Sequence, residues 1–461
     1  MIKSLLAMFG ASLPFLYTVI GAQSVPGAGA AHQNHLSGAP IPSARNTPTA
    51  KDSQNISKAW CKRIMLDEYN KSPNPDPRVA EFIRDSIDEI HGHSPAPAKL
   101  KADAIELADS GVEDPLFLCL ASGVLGESRH DLYLKAIAGM EKSPYNKFIL
   151  YMASLRMNVD LDANKAPQEA QDAQFKITLG HLRMALQTDA FKKDETDALL
   201  YRLDSNSAKL LLSKRGGEVC DILRTSKPIP PWIVEYYEGK RLVDEAWKAR
   251  GSDWGTNVTP EGWKGFNDYL AQARVHLVKS WKLNPSSPRA AGQMIKVAMG
   301  ESEQNDTMRS WFDRAVIAQI DYSPAYANMR WGLRPRWLGS IKEMISFGEE
   351  CMRTGRYDTG VPYEYVLAVK DASTDLADKG AILADAKINQ NLTNVLNGYF
   401  TTPNALDQKY LHAMAAIVAY KGGKLDVARQ HLQKIDYDVK KWSAELGRIV
   451  DIPTMISEVQ H

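Results

Sequence analysis

The sequence predicts an all-α protein whose C-terminal half is a solenoid of antiparallel helix hairpins, and three observations carry that prediction. First, LAQARVHLVKSWKLNP sets Leu270, Ala273, Leu277 and Ser280 on one helical face before Pro285 stops the helix. Large and small residues in that order let the second helix of a tetratricopeptide-type hairpin pack on its neighbours. Second, Pro288, Pro324 and Pro362 recur at intervals of 36 and 38 residues, close to the roughly 34-residue tetratricopeptide period. Third, apolar alternation of period two is nowhere sustained, which argues against a sheet.

Taken in chain order, residues 1–24 read as a Sec signal peptide: Lys3, then the apolar run from Ser4 to Ile20, then small residues at Gly21, Ala22 and Ser24. The run is short of the about 20 apolar residues that a bilayer span needs, and it contains Pro14. Export to the periplasm or the exterior is therefore expected, with no membrane span after cleavage. Residues 25–56 are Gly, Ala, Pro, Ser and Asn with few large apolar side chains, so they read as a flexible linker.

Breakers of Pro, Gly, Asn and Asp then mark off helices over 57–69, 78–90, 98–109, 115–126, 131–141, 145–156, 169–188, 194–203 and 205–214. Within this N-terminal helical region, 57–226, the pair PLFLCLASGVLG and DLYLKAIAGMEKSP carries a weaker form of the repeat order. The boundary is set at KPIPPW, Lys227 to Trp232, where three prolines stiffen the join. Residues 227–461 form the tetratricopeptide-like domain: a helix from Ile233 to Arg250, a loop from Gly251 to Trp263, the proline-phased hairpins, and a last unit, LHAMAAIVAYKGGKLDVARQHLQKI, with Gly423 in its turn.

Charge narrows the partners. With 56 Lys and Arg against 55 Asp and Glu there is no bulk field to attract nucleic acid. Cys61, Cys119, Cys220 and Cys351 lie far apart in apolar surroundings, which speaks against zinc and leaves open whether they pair in an oxidising compartment or stay as buried thiols.

The phrases RGSDWGTNVTPEGWKGF, SPRAAGQMIKVAMGE, WFDRAVIAQIDYSPAY, RWGLRPRWLGS and CMRTGRYDTGVP, between Arg250 and Pro362, together resemble an uncharacterised family of exported bacterial proteins. That family combines a domain of unknown function with tetratricopeptide-like helices. The resemblance implies helical repeats and a bacterial origin, and it transfers no catalytic residue.

Chemistry is sparse in the remaining motifs. There is no HExxH helix, GxSxG elbow or phosphate loop ending in GK[ST]. Asp160, Asp162 and Asn164 open like a calcium loop, but Lys165 and Gln171 stand where the turn glycine and bidentate Glu belong. His91 and His93 form a two-ligand stub beside a turn. No cofactor or metal is called for.

Two patches stand out. Eight of the ten tryptophans fall between residues 232 and 337, and Trp254 and Trp263 bracket a Gly, Ser, Asn and Thr loop of the kind that carries binding on a rigid scaffold. RWGLRPRWLGS places Arg330, Arg334 and Arg336 beside Trp331 and Trp337, an array suited to gripping carboxylates and stacking on a peptide. The competing reading is a structural knot in which these arginines pair with acids of the chain itself. The function expected from the sequence is thus an exported, non-enzymatic scaffold that binds a protein or peptide through Arg330, Arg334, Arg336, Trp337, Trp254 and Trp263. The alternative is an envelope hydrolase or glycan-active enzyme with a site between the two helical halves.

Overall fold

The computed structural model describes residues 36, 38–44, 46–91, 97–125, 130–187, 191–192, 195–253, 255–302, 306–337, 339–402, 406–439 and 446–460. The signal-peptide segment and Trp254 lie outside the described residues. Among those residues the secondary structure is helical, without strands, and no helix is long and apolar enough to cross a membrane. The helices pack chiefly as chain neighbours, as a helical repeat requires.

The chain divides into two compact units, with residues 50–245 in the first and residues 36–49 and 246–460 in the second. The division falls inside a helix, Pro231–Arg250, and not at KPIPPW. Pro231 opens that helix at the position where a missing N–H costs nothing, so the proline run serves as a helix start.

Unit 1 contains α1 (Ala50–Cys61, continued by a π-helical turn over Lys62–Asp67), α2 (Pro77–Ile90), α3 (Pro97–Asp109), α4 (Pro115–Leu125), α5 (His130–Lys142), α6 (Lys147–Ala163), α7 (Gln168–Gln187), α8 (Thr196–Leu203), α9 (Asn206–Thr225) and most of α10 (Pro231–Arg250). Apolar and small faces join α4 to α5 and α6 to α7. Buried polar groups also bond across the α6–α7 seam: Ser154 bonds the His181 ring at 2.5 Å, and Asn158 donates to Thr178 at 3.0 Å. Trp60 stacks on Phe191 at 4.9 Å and meets Phe148 edge-on at 5.3 Å. Asp160 and Asp162, the start of the calcium-like phrase, lie within α6, so that phrase does not form a chelating loop.

Unit 2 is more regular. It contains α11 (Pro260–Leu283), α12 (Pro288–Gly300), α13 (Met308–Ala318), α14 (Ser323–Gly332), α15 (Ile341–Arg353), α16 (Glu364–Thr374), the short α17 (Ala381–Ala384), α18 (Ala386–Thr401), α19 (Gln408–Lys421), α20 (Leu425–Gln433) and α21 (Ile452–Gln460). Thr259, Thr307, Ser340, Asp385 and Asp407 cap helix N-termini with side-chain oxygens. Pro288 and Pro324 stand in the first turns of α12 and α14, and Pro362 just precedes α16.

These are the helices that meet in succession, α12 with α14, α14 with α16 and α16 with α18, while α13 and α15 pack on them as partners. The proline spacing therefore marks one helix row of the repeat. Successive repeats are also tied by charge. Arg309 bonds Glu350, Arg330 bonds Asp371 and Arg334 bonds Asp375, and all three pairs span 41 residues. Between α13, α14 and α15, Phe312, Tyr326 and Phe347 form an aromatic core with ring centroids 5.0 to 6.2 Å apart.

Candidate functional site

Of the segment read from the sequence as a flexible linker, residues 50–56 lie in α1, and the described residues from Leu36 to Pro48 make specific contacts within unit 2. The latter form a strap, irregular over residues 39–44 and turned where the Thr47 N–H donates to the Ala44 carbonyl, held against α13, α15 and the turn after α15. The floor of this seat is Arg309 of α13, only 1% exposed. Its guanidinium donates to Asp313 Oδ1 at 2.6 Å from Nε, and to Glu350 of α15 at 2.7 and 2.6 Å from Nη1 and Nη2. It also donates to the strap carbonyls of Leu36, at 3.3 Å, and Ala39.

The two carboxylates turn their remaining capacity to strap N–H groups. Ala39 N donates to Asp313 Oδ2 at 3.1 Å, and Ile41 N to Glu350 Oε1 at 3.3 Å. Farther along, Arg356 Nη1 donates to the Ala44 carbonyl at 2.7 Å, and Ile320 N donates to the Pro48 carbonyl at 3.0 Å. Each holding group is itself held. Asp358 grips Arg356 through two bonds of 2.9 Å, and Tyr326 donates to the Ile320 carbonyl at 2.6 Å.

Local sequence explains the strap's shape. Ala39 and Ile41 each precede a proline, which disfavours the α conformation and pushes them to extended backbone. Prolines 40 and 42 have no N–H to leave unsatisfied between the residues that donate. Ile41 is buried at 5% exposure. At Gly38 a Cβ would come within 2.5 Å of Arg309 Cγ and 2.6 Å of Asp313 Oδ2, so only glycine allows this close approach without moving the clamp.

Electrostatically the seat is an arginine between two acids. Burial alone would weaken protonation of Arg309, but its bonds to Glu350 and Asp313 outweigh burial and raise its pKa above the ordinary arginine value. The pKa of Arg356 is raised chiefly by its hydrogen bond to Asp358. A fixed cation paired with fixed anions does little general acid–base work, but it presents donors and acceptors in a set order to a backbone.

The residues singled out from the sequence fall in three places. Arg330 is buried at 8% exposure and bonds Glu364 and Asp371, joining α14 to α16. Arg334 bonds Asp375 and the Thr374 hydroxyl. The guanidiniums of Arg334 and Arg336 both lie 5.2 Å from the centre of the exposed Trp331 ring. Arg330 and Arg334 are thus turned to acids of α16 and its C-terminal end.

Trp263 lies in the first turn of α11 and not in a loop. With Trp247 and Trp337 it surrounds Arg250, whose guanidinium is 5.2 Å from Trp263, 5.2 Å from Trp337 and 5.7 Å from Trp247. Arg250 also donates to the carbonyls of Gly251 and Asp253, which fixes the start of the following loop. The described candidate site residues therefore separate into an inter-helix clamp, the contact of Arg336 with Trp331 and an aromatic box, while Arg309, Asp313, Glu350 and Arg356 form a separate set that bonds the strap backbone. Ile41 between two prolines was the available sequence signal.

Other chemistry is thin. Among the described residues no group of three or more His, Cys, Asp or Glu side chains could hold a metal ion. All four cysteines are buried and unpaired with one another, and burial pushes the Cys119 and Cys220 thiols up to about 12. His91 is buried against Ser57 and the Ile87 carbonyl. His412 and His431 share a 2.9 Å contact between Nδ1 atoms that joins α19 to α20, and burial with its neighbour lowers His431 to about 4. A cavity of about 250 Å³ in unit 1 is lined by Leu186, Phe191, Lys192, Thr196, Leu199 and residues 228–230, without an acid, histidine or cysteine. No family model and no curated protein matches the chain.

Proposed function

We propose that the chain is an exported, non-enzymatic scaffold whose second unit is a tetratricopeptide-like solenoid that binds an extended segment of a protein or peptide. The observation that carries this reading is the seat itself: Arg309, Asp313, Glu350, Arg356 and Ile320 engage backbone groups of the strap between Leu36 and Pro48. Helical repeats commonly receive extended partners through main-chain bonds plus a few side-chain pockets. Export rests on the order of charge, apolar run and small residues in positions 1–24, and the proline phase and the resemblance to exported bacterial proteins support the solenoid.

The test uses the full chain with Ile41→Asp, which sets a carboxylate beside Glu350 and should release the strap. A fluorescent synthetic peptide of residues 36–48, LSGAPIPSARNTP, is titrated into it. Saturable binding that is lost on adding Arg309→Met is expected. A released variant with intact helicity that never binds the peptide would defeat the reading.

A further inference from the structure

We propose that residues 36–48 are a resident pseudoligand, and that the seat takes in trans an extended peptide of the class Gly-X-Pro-aliphatic-Pro, uncharged across these five positions. The inference rests on the proposed peptide-binding function and adds its ligand class and its control. The class follows from the contacts of Gly38, Ala39 and Ile41. Glycine is required where Gly38 runs against Arg309 Cγ and Asp313. The X position supplies an N–H to Asp313 and a carbonyl to Arg309, as Ala39 does.

The aliphatic position supplies an N–H to Glu350 and a side chain that is removed from water, as Ile41 does. Prolines fit at the two positions following each donor because they extend the residue before them and the seat asks no N–H of them. A charge at the aliphatic position would lose its hydration within a site whose acids are already matched to arginines.

The same contacts make the strap a competitor. It belongs to the same chain as the seat, so its binding is intramolecular and a trans peptide must displace it. Release of the strap is then the step that opens the seat.

Four titrations read by fluorescence anisotropy test this: the 36–48 peptide, and the same peptide with Gly38→Val, each against the intact chain and against Ile41→Asp. The expected result is saturable binding of the parent peptide to the released chain, at least 10-fold weaker binding to the intact chain, and at least 10-fold weaker binding of the Gly38→Val peptide. A second release variant, Gly38→Val within the chain, should reproduce the gain seen with Ile41→Asp. Equal affinity of intact and released chains would overturn the pseudoligand role while leaving peptide binding standing. Equal affinity of the two peptides for the released chain would overturn the ligand class. Absence of parent-peptide binding to both folded release variants would remove the function and this inference together.

Discussion

Arg309→Met is expected to destabilise unit 2 by about 3–5 kcal/mol, the range for removing one partner of a buried ion pair and leaving the other charge uncompensated. The substitution keeps most of the apolar stem, so packing is not the main loss. What remains is Asp313 and Glu350, both largely buried, facing each other without the guanidinium that bridged them. The strap loses two carbonyl partners at once. Chemical denaturation followed by far-UV circular dichroism should show an earlier midpoint for this variant. Ile41→Asp acts on the strap and leaves the α13–α15 bridge in place, so it should move the midpoint less.

Arg330→Met is expected to lower stability by about 3–5 kcal/mol, because the buried Glu364 would be left uncompensated and the part-buried Asp371 would keep only Lys370. Burial pushes the Asp371 carboxyl up, but Arg330 and Lys370 outweigh burial and hold it below the usual carboxylate value. A carboxylate lowered in the folded state contributes stability that is complete above its unfolded pKa and disappears as pH falls through the folded one. In Arg330→Met that contribution should shrink at neutral pH, and the variant should approach the parent in stability only under acid conditions. Arg334→Ala supplies the contrast. Its pair with Asp375 lies near the surface, where such pairs contribute about 0–1 kcal/mol, so its melting curve should nearly overlay the parent's. Melting curves of the two variants across pH 3 to 7 check both expectations.

The helical architecture was legible because it is written in local patterns. Pro288, Pro324 and Pro362 stand in or just before the first turns of helices in one row, and proline acts there through its own backbone, without help from tertiary structure. Leu270, Ala273, Leu277 and Ser280 are buried on one face of α11, as their spacing implies. The arginine pairings were not legible in the same way. Arg330 meets Asp371 across 41 residues, a separation that depends on how two repeats stack.

The strap was hidden for a different reason. Its composition lacks the apolar content to fold by itself, and that argument is sound for an isolated segment. Here order comes from main-chain groups that every residue carries, bonded to side chains some 270 to 310 residues away. Composition does not record backbone hydrogen bonds. Trp263 reads as a loop residue because GSDWGTNVTPEGW is rich in turn residues, yet Thr259 and Pro260 supply a cap and a first-turn proline that start α11 before it.

The most direct test of the central claim is amide hydrogen exchange at Ile41 and Ile320 in the intact chain. If the strap is seated, the Ile41 N–H is held by Glu350 and the Ile320 N–H by the Pro48 carbonyl, so both should exchange at least about 100-fold more slowly than in an unstructured chain. Protection of both should fall in Ile41→Asp while α13 and α15 stay protected. Exchange of the Ile41 amide at the unstructured rate in the intact protein, with α13 and α15 protected, would contradict the account.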